Sequence, residues 1–214
     1  ILVTSIFENL PNLRKIVAPS LVVKSYLWPH TQSSPKLEHI EMPFSSSNGG
    51  VEDLVRRAKA SLAVARVGNV SMPGSLIAEL LPAASHLLEV ELLGASGMLS
   101  GPFYITQLRS FLESLTSVRR LTIGMYGHDL ARLVDLLTEL TTLESFTLSS
   151  KVVAQDRLHA LKDIKPSDLV TYVASSHQLK HLTLPVELNV IWTKNQLADV
   201  EKAAEKAGVE FELL

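Results

Sequence analysis

The sequence predicts an α/β fold in which repeated strand–helix units place their strands in one parallel sheet. The first observation is a spacing of apolar residues, L-x-x-L-x-L, which occurs twice between Leu115 and Leu148 and begins at Val118 and at Leu143. The two copies are 25 residues apart. The second observation is that leucines at helical spacing precede each copy. A fixed period that contains one helix and one strand is typical of a solenoid, in which each unit packs against its neighbours.

The same spacing recurs along most of the chain and defines seven frames of three apolar residues. Successive frames are between 24 and 36 residues apart. Each frame is predicted to form a short strand whose apolar side chains face the core, because neighbouring side chains of a strand point to opposite faces. The frames are Leu13, Ile16 and Ala18; Leu37, Ile40 and Met42; Leu62, Ala65 and Val67; Leu87, Val90 and Leu92; Val118, Leu121 and Ile123; Leu143, Phe146 and Leu148; and Leu179, Leu182 and Leu184.

Apolar residues at helical spacing lie between the frames and predict helices packed against the strands. Helices are expected over 76–85, 108–115 and 130–140. Ser167 followed by Asp168 is predicted to start a further helix, since both residue types are common at helix amino termini.

The last residues, 195–214, are predicted to form a cap of one helix and one strand. Asn195 is placed to cap a helix over 196–207, Gly208 to end it, and the alternating sequence VEFELL to form the strand. The chain is therefore predicted to be a single domain over 1–214 with about seven irregular repeats. It opens with ILVTSIFENL, without an initiator Met or a basic region before the apolar run, so we expect it to start within a larger protein.

Two segments interrupt the period and are predicted to be surface insertions. Residues 93–105 contain three glycines and a Gly-Pro step, and residues 149–166 carry charges of both signs, with a short helix expected near 155–162. Insertions in solenoids project from one face and often contribute binding contacts. Two interpretations stay open for each segment: a role in binding, or a tolerated insertion without one.

Composition excludes several classes of function. The 214 residues include no cysteine, which rules out disulfides, thiolate metal sites and a cysteine nucleophile, and permits the intracellular location, cytoplasmic or nuclear, that we expect. The 20 basic and 22 acidic residues give no overall charge that would attract nucleic acid or an anionic membrane. No apolar run approaches the ~18 residues needed to cross a bilayer.

The sequence lacks the common enzyme motifs. It contains no glycine-rich nucleotide loop, no nucleophile elbow and no zinc-protease motif. His177 and His181 have the separation of a metal-binding pair on a helix, but His181 falls within a predicted strand. We therefore expect a turn histidine and an exposed strand histidine, and a protein without catalytic residues, cofactor or metal ion.

The residues between the apolar positions of each frame predict the interaction surface. Their side chains point away from the core, and their charge changes sign from one repeat to the next, so opposite charges should meet across strands ~4.8 Å apart. This pattern fits a ladder of ion pairs that keeps the sheet soluble, or a surface on which the charges of a partner replace the internal pairs. Acidic strands interrupt the basic ones, which argues against a nucleic-acid phosphate track. The predicted partner-binding residues are Glu89, Glu91, Arg119, Arg120, Glu144, Lys180 and His181.

The frames resemble leucine-rich repeats, and their irregular spacing is most similar to the ribonuclease-inhibitor-like repeats of F-box proteins, divergent fungal ones in particular. The segments FENLPNLRKIVAP, SSPKLEHIEMP and TSVRRLTIG carry this resemblance, which spans about residues 6 to 186. It implies a solenoid with the parallel sheet on its concave face and the helices on its convex face.

The resemblance also implies a function. It points to a non-catalytic interaction scaffold that recognises substrates of an F-box-type ubiquitin ligase, with an F-box upstream that would contact the ligase adaptor. The alternative is a repeat domain of an immune-type receptor or secreted effector that reads a ligand. An upstream F-box would favour the first interpretation, and a signal peptide or nucleotide-binding domain the second.

Overall fold

The computed structural model describes residues 10, 12–18, 36–43, 50–70, 73–94, 102–124, 133–149 and 161–214. Eight strands in these ranges form one parallel sheet, and each strand pairs with its neighbours in the order of the chain. The strands are β1 (Lys15–Val17), β2 (His39–Met42), β3 (Val64–Val70), β4 (Glu89–Gly94), β5 (Arg120–Gly124), β6 (Ser145–Ser149), β7 (His181–Leu184) and β8 (Glu210–Leu213).

Helices alternate with the strands and give a repeat-like α/β fold. Within the described ranges they are α1 (Gly50–Ala58), α2 (Pro73–Leu80), α3 (Pro102–Glu113), α4 (Leu133–Glu139), α5 (Pro166–Ser175), α6 (Leu188–Ile191) and α7 (Lys194–Ala207), with a 3-10 helix at Leu81–His86. Helices from successive units also pack against one another, as α2 does against α1 and α3.

The seven predicted frames all coincide with strands, in a common register. Their middle residues form one row across the sheet, in which Leu121 pairs with Phe146 and Phe146 with Leu182. From the second frame onward all three residues of every frame are buried, and those of the first frame are partly buried. They share one core with helix residues such as Leu54 and Val173. The apolar spacing therefore predicted both the strands and their buried side.

Both predicted insertions are shorter than expected. Strand β4 continues to Gly94 and α3 begins at Pro102, so the residues at both ends of 93–105 are regular structure. Proline is favoured at the first position of a helix because the N–H it lacks has no partner there, and the Gly-Pro step marks a helix start. Residues 95–101 lie outside the described residues.

The second insertion, 149–166, also has regular structure at its ends. Ser149 is the last residue of β6, and Pro166 begins α5 one residue before the predicted start at Ser167. Lys165 occupies the capping position without a side-chain hydrogen bond, so the Ser167–Asp168 pair is not the cap. Residues 150–160, with nearly all of the predicted helix near 155–162, lie outside the described residues.

Of the other predicted helices, two need correction and one is described in part. The helix predicted over 76–85 is α-helical only to Leu80 and continues as a 3-10 helix. Pro82 explains the change, because proline has no N–H to donate to the preceding turn. The helix predicted over 108–115 begins earlier, at Pro102, and the one predicted over 130–140 is described from Leu133 to Glu139.

The carboxyl-terminal cap has the predicted helix and strand, but a different residue starts the helix. The capping residue is Thr193, not Asn195: Thr193 Oγ1 accepts a hydrogen bond from the N–H of Gln196 at 3.3 Å, and Gln196 Oε1 accepts one from the N–H of Thr193 at 2.9 Å. Threonine followed three residues later by glutamine is a capping box, so the sequence did contain the signal. Gly208 ends the helix as predicted, with φ 71°.

Replacing Thr193 by alanine is expected to lower the free energy of unfolding by about 1 kcal/mol, because one helix N–H loses its acceptor. Urea unfolding followed by circular dichroism measures the change. Thr193→Ser keeps the hydroxyl and is expected to stay within a few tenths of a kcal/mol of the parent protein. Equal loss in both variants would show that the methyl group of Thr193, not the cap, contributes the stability.

Candidate interaction surface

One face of the sheet carries the residues that lie between the frame positions, most of them polar, and we call it the open face. None of these residues is buried; all are partly or well exposed. The strands set them in register, so that Arg120 lies between Glu89 of β4 and Ser145 of β6. The open face consists of Arg14, Lys15, Val17, Glu38, His39, Glu41, Ala63, Val64, Arg66, Leu88, Glu89, Glu91, Arg119, Arg120, Thr122, Glu144, Ser145, Thr147, Lys180, His181, Thr183, Glu210 and Glu212.

Backbone hydrogen bonds fix the spacing of this face just before the strands begin. The N–H groups of Arg119 and Arg120 both donate to the carbonyl of Leu88, at 2.8 and 3.2 Å. The same arrangement repeats one strand later, where the N–H of Glu144 donates to the carbonyl of Arg119 at 2.8 Å, and the N–H of Lys180 to that of Glu144 at 2.7 Å. Side chains at equivalent positions in successive units are therefore held within reach of one another.

A first chain of ion pairs crosses from β2 to β5. Arg66 donates hydrogen bonds to Glu89, and its Nη1 lies 3.4 Å from Glu41 Oε2. The second oxygen of Glu89 lies 3.6 Å from Arg120 Nη1. Four side chains of alternating charge thus connect four adjacent strands, as the sign pattern in the sequence predicted.

The pKa of Arg66 reflects this environment. Partial burial acts to lower it, but the hydrogen bond to Glu89 and the negative charges of Glu89, Glu41 and Glu91 outweigh burial and raise the pKa above its ordinary value. Glu91 therefore contributes its charge to the same network. The guanidinium of Arg66 remains charged at any physiological pH.

A second group of charges lies across β5 to β7. Lys180 Nζ donates to Glu144 Oε2 at 2.8 Å, and Arg119 Nη1 lies 3.6 Å from Glu144 Oε1. The hydrogen bond from Lys180 lowers the pKa of Glu144, and the positive charges of Lys180, Arg119 and Arg120 act in the same direction. One ionised carboxylate is thus shared by a cluster of cations from both neighbouring strands.

His181 is exposed on β7, as predicted, and pairs with the last strand. Its Nδ1 lies 2.8 Å from Glu210 Oε2. His177 lies in the turn before β7, and among the described residues no group of three potential metal ligands occurs. The two histidines therefore occupy the separate turn and strand positions expected from the sequence.

Reasoning from the frames missed the acidic end of the open face. Glu210 and Glu212 extend it onto β8, which pairs in parallel with β7 and continues the same register. The L-x-x-L-x-L spacing does not detect this strand because Gly208 stands at the position where the other frames have Leu or Val. A search that allowed glycine at that position, followed by Phe211 and Leu213, would have found an eighth frame.

A small open groove lies away from the open face, between the turns that precede β6 and β7. Leu140, Ser176 and His177 are among the residues that line it, and its volume is about 100 Å³. Sites for drug-sized ligands and cofactors usually have several times that volume, so this groove does not suit such a ligand.

No described helix is both long enough and apolar enough to cross a membrane. Comparison with known families finds no family model that matches the sequence, and comparison with curated proteins finds no match either. The open face is accordingly interpreted from its own geometry.

Proposed function

We propose that this chain is a leucine-rich-repeat solenoid that acts as a non-catalytic scaffold for protein–protein interaction. The observation that supports the proposal most directly is the open face, on which side chains of eight successive strands form one largely polar surface without a buried member. A row of polar side chains held in fixed register is suited to recognising another protein surface, because its charges are already positioned before binding.

The order of the sheet supports the solenoid. Each strand pairs with the strands before and after it in sequence, and the frame residues repeat in register from β1 to β7. In leucine-rich-repeat solenoids the sheet lines the concave side, which would make the open face a curved binding surface. Leu88 adds an apolar contact within it, since this residue is 44% exposed.

The role that we propose for this scaffold is substrate recognition in an F-box-type ubiquitin ligase. Its support is the likeness of the frames to the repeats of F-box proteins, together with the open face. The test is whether the full-length protein, isolated from its source cells, co-purifies with a ubiquitin-ligase adaptor subunit. Isolation of stable complexes that lack every adaptor would remove the ligase role and leave the interaction scaffold.

Reversing two charges of the open face is expected to release the partner. The variant Arg119→Glu with Arg120→Glu should reduce recovery of specific partners about tenfold or more, because like charges then oppose the partner at the centre of the face. Affinity capture from extracts of the source cells, quantified by mass spectrometry, measures the change.

A matched control reverses two arginines on the helices. Arg56 of α1 and Arg109 of α3 are exposed, and each pairs with a carboxylate, as Arg119 and Arg120 do. Arg56→Glu with Arg109→Glu therefore changes the net charge equally and breaks ion pairs that are closer than those of Arg119 and Arg120, yet should retain the partners. Thermal unfolding of both variants should stay near that of the parent, since exposed ion pairs each contribute only about 0–1 kcal/mol. Unfolding of the open-face variant alone would instead identify the charges as a structural ladder.

A further inference from the structure

Over β5 to β7, the arginine and lysine side chains of the open face are more exposed than the carboxylates they contact. The side chains of Arg119, Arg120 and Lys180 are 66%, 68% and 61% exposed. Those of the carboxylates they contact, Glu89 and Glu144, are only 17% and 29% exposed. The positive groups therefore lie above the negative ones, and the outer layer over β5 to β7 is cationic although the whole chain is nearly neutral.

The balance of charge within this region is also positive. Glu144 is the central carboxylate, and three cations act on it: Lys180, Arg119 and Arg120. The carboxylate holds these side chains in place without neutralising all of them. We call the three cations the cationic patch.

Hydroxyl groups adjoin the cationic patch on the carboxyl-terminal side. Thr122, Thr147 and Thr183 lie in register on the three strands, and Ser145 lies between Arg120 and His181. Hydroxyl groups can donate hydrogen bonds to carboxylate oxygens, and cations form the strongest such bonds. The patch and the hydroxyl row together offer donors to an acidic group.

Acidic strands border the patch on both sides. Glu91 lies on β4 beside Glu89, whose carboxylate already contacts Arg66 and Arg120, and Glu210 and Glu212 lie on β8, where Glu210 also pairs with His181. From β4 to β8, the open face is thus negative at β4, positive over β5 to β7 and negative at β8. Strands ~4.8 Å apart place β4 and β8 about 19 Å from each other, which about six residues of extended peptide can span.

From this order of charges we propose that the open face binds a protein segment whose acidic centre is flanked by basic residues, the acidic centre on the cationic patch and the flanks over β4 and β8. The inference rests on the proposed interaction function and specifies its partner. Nucleic acid is disfavoured, because phosphates continuing beyond the patch would meet the carboxylates of β4 and β8.

Two fluorescein-labelled peptides test the order of charges directly. The peptide KKEEEKK matches the face, and EEKKKEE carries the opposite order. Anisotropy titrations should show KKEEEKK binding about tenfold or more tightly than EEKKKEE, with an affinity that falls at about 0.2 M salt. An eight-nucleotide oligothymidylate should bind more weakly than KKEEEKK. Tighter binding of the oligonucleotide, or of EEKKKEE, overturns the proposal.

Substitutions assign the binding to the patch. Arg119→Glu, Arg120→Glu and Lys180→Glu together should weaken KKEEEKK binding about tenfold or more. The control Arg56→Glu, Arg109→Glu and Lys202→Glu has the same net charge and changes exposed helix residues instead, so it should weaken binding less than threefold. If the patch variant does not fold, replacement of the same three residues by glutamine serves in its place. Equal weakening by patch and control variants overturns the assignment.

This experiment can fail independently of the proposed function. Suppose that neither peptide binds, while capture from extracts still returns partners that the Arg119→Glu, Arg120→Glu variant loses. The proposed partner segment is then wrong, and the proposed interaction scaffold is supported. If the Arg119→Glu, Arg120→Glu variant captures the same partners as the Arg56→Glu, Arg109→Glu control, the proposed function of the open face is wrong as well.

Discussion

Replacing Phe146 by alanine is expected to lower the free energy of unfolding by about 3–5 kcal/mol. Phe146 is the middle frame residue of β6 and is 1% exposed. It lies in register between Leu121 and Leu182, near the middle of the row of frame residues. Removal of the ring loses its transfer free energy and leaves a cavity that strands paired on both sides cannot close.

Phe211 provides a matched control for Phe146. It occupies the same row on β8, which among the described strands pairs with β7 alone, and it is partly exposed. Phe211→Ala should lower the free energy of unfolding by less, about 1–2 kcal/mol, because part of its ring is already in contact with water. Urea unfolding monitored by circular dichroism compares the variants. Equal losses of unfolding free energy in the two variants would show that the central position of Phe146 does not increase its contribution to stability.

The sequence predicted the strands well because each frame encodes its own buried side. A one-residue shift would expose Leu121, Phe146 or Leu182 to water, so the apolar spacing fixes both the strand and its register. The same spacing could not reveal β8. There Gly208 replaces the first apolar residue, because the helix that ends at this point needs a residue with positive φ. The glycine that the helix end requires thus removed the frame signal, and only the alternation of VEFELL predicted the strand.

The sequence predicted which charges of the candidate site meet, but not how deep each side chain lies. Alternating charges predicted that Glu89 would meet arginines, and it does, through Arg66 and Arg120. The sequence could not show that the arginine heads lie outermost and the carboxylates beneath them. That difference depends on the lengths and conformations of side chains that meet across neighbouring strands, between residues 23 to 36 positions apart in the chain. The partner-binding role of these residues stays a prediction.

Glycine at position 68 illustrates a constraint that the sequence does not display. Gly68 lies within β3, where the pairing with β4 shifts between Val67 and Val70. A Cβ atom built on it would lie 2.0 Å from the carbonyl oxygen of Pro43 and 2.8 Å from its carbonyl carbon. Pro43 follows β2, one repeat earlier, so the close approach arises only when the strands are assembled. Nothing in the residues next to Gly68 marks it as irreplaceable.

Gly68→Ala is expected to lower the free energy of unfolding by about 3 kcal/mol or more, at the upper end of the cost of overpacking. The atoms that the new methyl group would meet belong to backbone, so no change of side-chain rotamer relieves the clash, and β2 or β3 has to move. Gly208→Ala is the control: its φ of 71° is strained for alanine, but among the described residues other than its chain neighbours nothing lies within 4 Å of the added Cβ. That backbone strain alone should lower the free energy of unfolding by about 1 kcal/mol. Urea unfolding of both variants measures the difference, and a Gly68→Ala protein as stable as its parent would show that the two strands can separate here without loss.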